Sequence, residues 1–227
     1  MNANSEWWSG PRRVSVVVDN DSWILPYAQQ LVEAINKTND NAQLCRDFDA
    51  ILAGDVAFYI GCMKITPDEV LNRNKRNLVV HESDLPKGRG FSPLSWQILE
   101  GCNAIPICLL DMVEDVDAGP IVFKDYMNFD GHELFDELKA AQGQKTIELC
   151  LRFLSQPSEP IGTPQTGDSS FYKRRTPIDS ELDPNRTLAD QFEQLRIVDN
   201  ENYPAFFSHR GEEYVLTVRK RSEKTKD

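Results

Sequence analysis

Three features are missing from this sequence, and each absence excludes a class of protein. No apolar run approaches the roughly 18 residues that a membrane helix needs, and the opening MNANSEWWSGPRR lacks the apolar core of a secretory signal. The five cysteines (Cys45, Cys62, Cys102, Cys108, Cys150) are odd in number and form no CxxC pair, which removes a disulfide framework or a zinc ribbon as an organising device. Basic residues are in deficit: 25 Lys and Arg stand against 36 Asp and Glu, a formal charge of -11, whereas a surface that grips tRNA needs clustered cations. The expectation is a soluble cytoplasmic protein with reduced thiols, without a membrane partner and with nucleic acid disfavoured.

What is present is enough apolar sequence, 40% of 227 residues, for one sizeable core and a small appendage. Residues 14–18 are a β-branched run and read as a buried first strand. Tyr27, Leu31, Ala34 and Ile35 then recur at helical spacing. DVAFYI (residues 55–60) is a second strand, and Thr66 with Pro67 predicts a capped short helix. Residues 36–55 are too few for two strand-helix units, so a trimmed sheet is expected. Ser92-Pro93 starts a helix, residues 106–110 and 121–127 read as strands, and residues 134–154 as a helical stretch that Gly143 can break.

The chemistry concentrates in residues 77–121. An apolar strand delivers His81 into the loop Leu85-Pro86-Lys87-Gly88-Arg89-Gly90, and Asp117-Ala118-Gly119 follows 36 residues after the histidine. Strand ends that present an imidazole and a carboxylate to Gly-rich loops are where an open α/β sheet places its chemistry. The run His-x-Ser-x-Leu-Pro-x-x-Arg-Gly with Asp-Ala-Gly-Pro-Ile at this spacing resembles the catalytic domain of formyltransferases that use N10-formyltetrahydrofolate. FYKRRTPIDSELDP and NYPAFF, within residues 171–207, resemble the region that follows that domain in sugar N-formyltransferases.

The resemblance implies a fold and a set of roles. The fold is α/β, a Rossmann-like domain with a mostly parallel sheet (residues 1–155), a linker (156–169), a small helix and β-hairpin module (170–219) and a disordered tail (220–227). His81 is the implied base and Asp117 its partner. Phe58, Tyr59, Ile60, Leu85, Pro86, Gly88, Val113 and Val116 are the implied folate contacts, and no metal is implied. Lys87, Arg89, Lys173, Arg174, Arg175, Tyr203 and Phe206 are candidates for the acceptor, because basic side chains engage a diphosphate and aromatic rings stack on a sugar or base. His132 and His209 have no partnered motif and are read as structural or surface residues.

The implied activity is transfer of a formyl group to the amine of a nucleotide-linked amino sugar. Glycinamide ribonucleotide, methionyl-tRNA or a non-catalytic binding role stay open, as does a homodimer. One position departs from the pattern: the family's Asn-x-His has its asparagine replaced by Val79. Asn77 shares that strand face but lies about 13 Å from His81. A backbone N–H, a water or protonated His81 then has to hold the oxyanion, or the activity is lost or changed.

Overall fold

Runs of β-branched residues become strands that are buried on both faces, as a parallel sheet requires. In the computed structural model, which describes residues 10–221, the chain forms β1 (Arg13–Val17), α1 (Leu25–Ile35), β2 (Asn41–Cys45), β3 (Gly54–Tyr59), α2 (Asp68–Leu71), β4 (Asn74–His81), β5 (Arg89–Gly90), α3 (Pro93–Leu99), β6 (Ala104–Asp111) and β7 (Ile121–Asn128). α4 (Phe135–Leu154), β8 (Phe171–Tyr172), α5 (Phe192–Arg196), β9 (Ala205–His209) and β10 (Glu212–Leu216) follow.

The main sheet has the order β2-β1-β3-β4-β6-β7, parallel through β4 and antiparallel at β6 and β7. This is the mostly parallel α/β architecture expected. The sheet is also trimmed: β2 runs directly into β3 with no helix between them. Helices α1 and α4 cover one face over the main core, where Phe58, Leu31 and Phe153 are buried. The other face has a thinner apolar layer, with Val17, Tyr59 and Val70 under Ile51 and Phe48. Among the described residues, no helix is long and apolar enough to cross a membrane.

Several local expectations change. Thr66 does not cap α2: Pro67 occupies the N-cap position in extended conformation, acidic Asp68 and Glu69 face the helix N-terminus, and the Thr66 hydroxyl is buried without a partner. Gly143 does not break α4, which runs unbroken through it because the residue packs against the Tyr27 ring. Thr187 does not start a helix. Its hydroxyl closes a turn with Asp190 at 2.7 and 3.1 Å, a local alternative to helical bonding, and α5 begins at Phe192 with Leu188 left exposed.

The hairpin forms as expected, closed by Arg210 and Gly211. Its neighbour α5 is tied down by Arg196, which is fully buried. Its guanidinium donates to Glu133 O at 3.1 Å, Asn103 Oδ1 at 2.8 Å and Glu193 Oε2 at 2.6 Å, so no buried N–H charge is left unanswered at this contact. Most of the expected disordered tail, residues 222–227, lies outside the described residues. Lys220, at its start, pairs with Glu137 at 2.6 Å.

Candidate active site

β2 and β3 lie on opposite sides of β1, so connections leave neighbouring strand ends in opposite directions and open a crevice beyond them. That crevice is a cleft of about 1800 Å³, running from the loops after β1 and β3 past His81 to Arg175 and Tyr203. Asp19 pins its rim by accepting from the backbone N–H groups of Met63 at 2.9 Å and Lys64 at 2.8 Å. Burial alone would raise this carboxyl, but those bonds and the Asn20 amide hold it below the usual range.

β4 carries His81 to its end, where the ring is 5% exposed. Nε2 lies 2.8 Å from the carbonyl oxygen of Gly88, and Nδ1 lies 3.4 Å from Asp117 Oδ2. The same carboxylate oxygen accepts from the Gly90 N–H at 2.9 Å. Asp117 sits at φ 53°, a left-handed conformation that aspartate tolerates, and Gly119 then passes so near β6 that a Cβ would stand 1.7 Å from Asp111 O. Asp-Ala-Gly is thus a turn that only glycine can complete at its third position.

The loop over His81 is held from a distant segment. β5 pairs with β8, the Gly88 N–H donates to Ser170 Oγ at 2.9 Å, and Gly90, at φ 97°, comes so close to Tyr172 that a Cβ would lie 2.6 Å from its carbonyl oxygen. Arg89 Nη2 donates to Gln165 Oε1 at 2.7 Å, while Gln165 Nε2 donates to the carbonyls of Asp117 and Gly119 at 2.7 and 2.8 Å. Ser170 and Gln165 were not among the candidates, since nothing in a Pro-, Gly- and Ser-rich stretch marks either one.

The other candidates divide. Tyr59, Ile60, Val113, Val116, Arg174, Arg175 and Tyr203 line the cleft with His81 and Asp117. Phe58 points to the opposite sheet face, as strand alternation requires, and meets Phe153 edge-on at 6.0 Å. Leu85 and Pro86 are buried beneath the loop, and Gly88 lies on the imidazole rather than on the cleft wall. Lys87 is exposed outside the cleft, and Arg89, also outside it, donates from Nη2 to Gln165 with its Nε buried and unpartnered. Lys173 turns outward to Asp179 at 2.6 Å, and Phe206 sits in β9 opposite Val215, away from the cleft. His132 and His209 are exposed.

Val79 stands between Tyr59 and Leu110 in register and packs with Leu85 and Cys108. Asn77 cannot stand in for the missing amide. Its Nδ2 donates to Leu71 O at 2.8 Å, and its Oδ1 accepts from Tyr59 at 3.4 Å. Cys62 also lines the cleft, but burial pushes its thiol up to about 12, so it is no thiolate nucleophile.

The sequence profile described as formyl transferase matches residues 26–152, more than half of the chain. The chain belongs to the formyl transferase family. The methionyl-tRNA formyltransferase of Rickettsia prowazekii (strain Madrid E) is 26% identical over 140 residues, 61% of this chain and 45% of that protein. The chain therefore spans about half the length of the curated relatives it matches. Among solved structures, a sugar N-formyltransferase from a Shewanella species superposes with a TM-score of 0.66 at 17% identity, covering 93% of this chain and 99% of that one. HypX from Aquifex aeolicus, in complex with tetrahydrofolic acid, gives 0.68 at 14% identity, covering 90% of this chain and 37% of that one. At these identities the likeness to this formyl transferase family member is one of fold.

Proposed function

We propose that this chain moves the formyl group of N10-formyltetrahydrofolate to the amine of a nucleotide-linked amino sugar. The observation that carries the reading is the His81 and Asp117 pair, set in a cleft that Arg174, Arg175 and Tyr203 also line. A pterin has apolar faces and polar edges. The cleft offers a matching set in Tyr59, Ile60 and Val113 beside Thr66, whose buried hydroxyl has no partner within the protein. When bound, the donor supplies a carbonyl carbon to which an amine can add.

The chain's own part follows from the imidazole. A carbonyl oxygen only accepts, so Nε2 carries the hydrogen toward Gly88, and Nδ1 is the basic nitrogen of the neutral ring. In the neutral ring Nδ1 and Asp117 Oδ2, 3.4 Å apart, are both acceptors and share no hydrogen bond; the two become an ion pair once Nδ1 takes the proton of the attacking amine. Protonated, the ring is a cation beside a carboxylate that the Gly90 N–H keeps in place. With valine at position 79, the oxyanion falls to that imidazolium or to a backbone N–H. The formal charge of -11 disfavours a tRNA acceptor, whereas two arginines and a tyrosine suit the phosphates and ring of a small nucleotide.

The test is formyl transfer to a panel of amino-sugar nucleotides by wild type, His81→Ala and Asp117→Ala. Each variant is expected to lose about 100-fold or more in turnover with its melting temperature kept. A variant with wild-type turnover removes the catalytic assignment. A wild type silent on every acceptor while it binds tetrahydrofolate leaves a binding protein in place of an enzyme.

A further inference from the structure

Lys139 rises from α4 into the lobe of the cleft that lies beside the C-terminal segment. Its ammonium stands 4.5 Å from the centroid of the Trp23 ring and 5.6 Å from that of Phe135, and it donates to Gln142 Oε1 at 2.9 Å. Two aromatic faces and one amide fix its stem and head in a single position. Arg175 lines the same cleft. Nη1 donates to Ile197 O at 3.3 Å and Nη2 to Ser180 Oγ at 3.2 Å, both long bonds, and Nε is buried with no partner.

Two like charges line one cleft, near enough for Arg175 to depress the Lys139 ammonium, and Arg175 has a buried N–H that nothing accepts. Both features cost free energy in the empty protein, and an anion between them would relieve both. We propose that Lys139 and Arg175 form the subsite for a phosphate or diphosphate group of the acceptor, with Tyr203 beside it for the attached ring. This deepens the sugar-nucleotide reading and rests on it. His81 and this subsite lie in one cleft, so one acceptor could present its amine to the imidazole while its phosphates are held here.

The subsite carries its own pH signature. Burial among the rings lowers Lys139 to about 8, with Arg175 adding to the depression and Glu82 and Asp199 opposing it. Arg174, Asp136, Glu137, Glu201, Arg219 and Lys220 also line the cleft, and Asp179 acts on Arg175. Glu137 is paired with Lys220, and Asp199 is occupied by the N–H groups of Glu201 and Asn202. Only the protonated amine attracts an anion, and a bound anion raises its affinity for the proton. Anion affinity is therefore full below about pH 8 and falls as pH rises beyond it.

The probe is adenosine diphosphate, titrated calorimetrically between about pH 7.5 and 9.5, a range over which its phosphates stay ionised and its base does not titrate. For wild type, Kd is expected to rise roughly tenfold across that range. Lys139→Gln is expected to weaken binding roughly tenfold at the lower pH and to flatten the profile, while Lys139→Arg, which stays charged, keeps the affinity and loses the pH dependence. Arg175→Gln is the second variant and is expected to weaken binding by a similar factor. Unchanged affinity in Lys139→Gln, or a pH-independent wild type, overturns the proposal. The binding readout needs no turnover, so diphosphate bound here by a protein that transfers no formyl group sinks the transfer reading and leaves the subsite standing.

Discussion

Gln165 donates from Nε2 to the main-chain carbonyl of Asp117 at 2.7 Å, from a position 48 residues further along the chain. Its Oε1 accepts from Arg89, whose neighbour Gly88 supplies the carbonyl facing His81. One side-chain amide thus spans the loop that carries the carboxylate and the loop that carries the imidazole's other partner. Gln165→Ala is expected to lower kcat about tenfold with KM within about twofold, because a misplaced pair loses transition-state alignment rather than ground-state binding. Steady-state kinetics beside a thermal melt checks this. An equal rise in KM with kcat unchanged would make Gln165 part of the binding surface instead.

Val79→Asn restores the family's amide at a site shaped for valine. Its neighbours Leu85, Cys108 and Leu110 are apolar, but position 79 is half-buried and lines the cleft, so the cost is at most that of an unpaired buried amide, about 1–3 kcal/mol. That corresponds to a fall in melting temperature of roughly 2–10 °C for a chain of this size. Turnover is expected to change within about tenfold, since the surrounding side chains do not hold the amide in one orientation. A silent wild type beside an active Val79→Asn would show that the valine abolished an ancestral activity.

Gly143 lies in the middle of α4, where alanine would ordinarily gain about 1 kcal/mol of helix stability. An added Cβ, however, would stand 2.4 Å from Tyr27 Cγ and 2.5 Å from its Cδ1. Overpacking of that kind costs about 1–3 kcal/mol, so the clash is expected to win and Gly143→Ala to melt several degrees lower. A higher melting temperature would mean that Tyr27 swings aside at little cost.

Much of the fold was legible because its signals are local. The β-branched run of β1, the apolar strand before His81, and the Gly and Pro that punctuate the loops each express their preference within a few residues. The resemblance of the motifs around them to the formyltransferases brought His81 and Asp117 forward as a pair, and the two meet in one cleft. Local signals also misled: Thr66, Gly143 and Thr187 each carry a plausible cap or break, but Pro67, Tyr27 and Asp190 determine what those residues do.

The rest depended on contacts between segments distant in sequence. Strand alternation turned Phe58 into the core while leaving Tyr59 on the cleft side, a choice fixed only when the register set which face meets α4. Gln165 with Asp117 and Ser170 with Gly88 belong to no motif. Each pair exists because residues 156–175 fold back over the carboxyl ends of the strands. Sequence by itself determined the strands and the turns between them, because hydrophobic periodicity and turn chemistry act over a few residues. Tertiary structure alone decided which polar groups close around the imidazole and which cations line the same cleft, because those energies arise only when distant backbone and side chains are packed together and cut off from water.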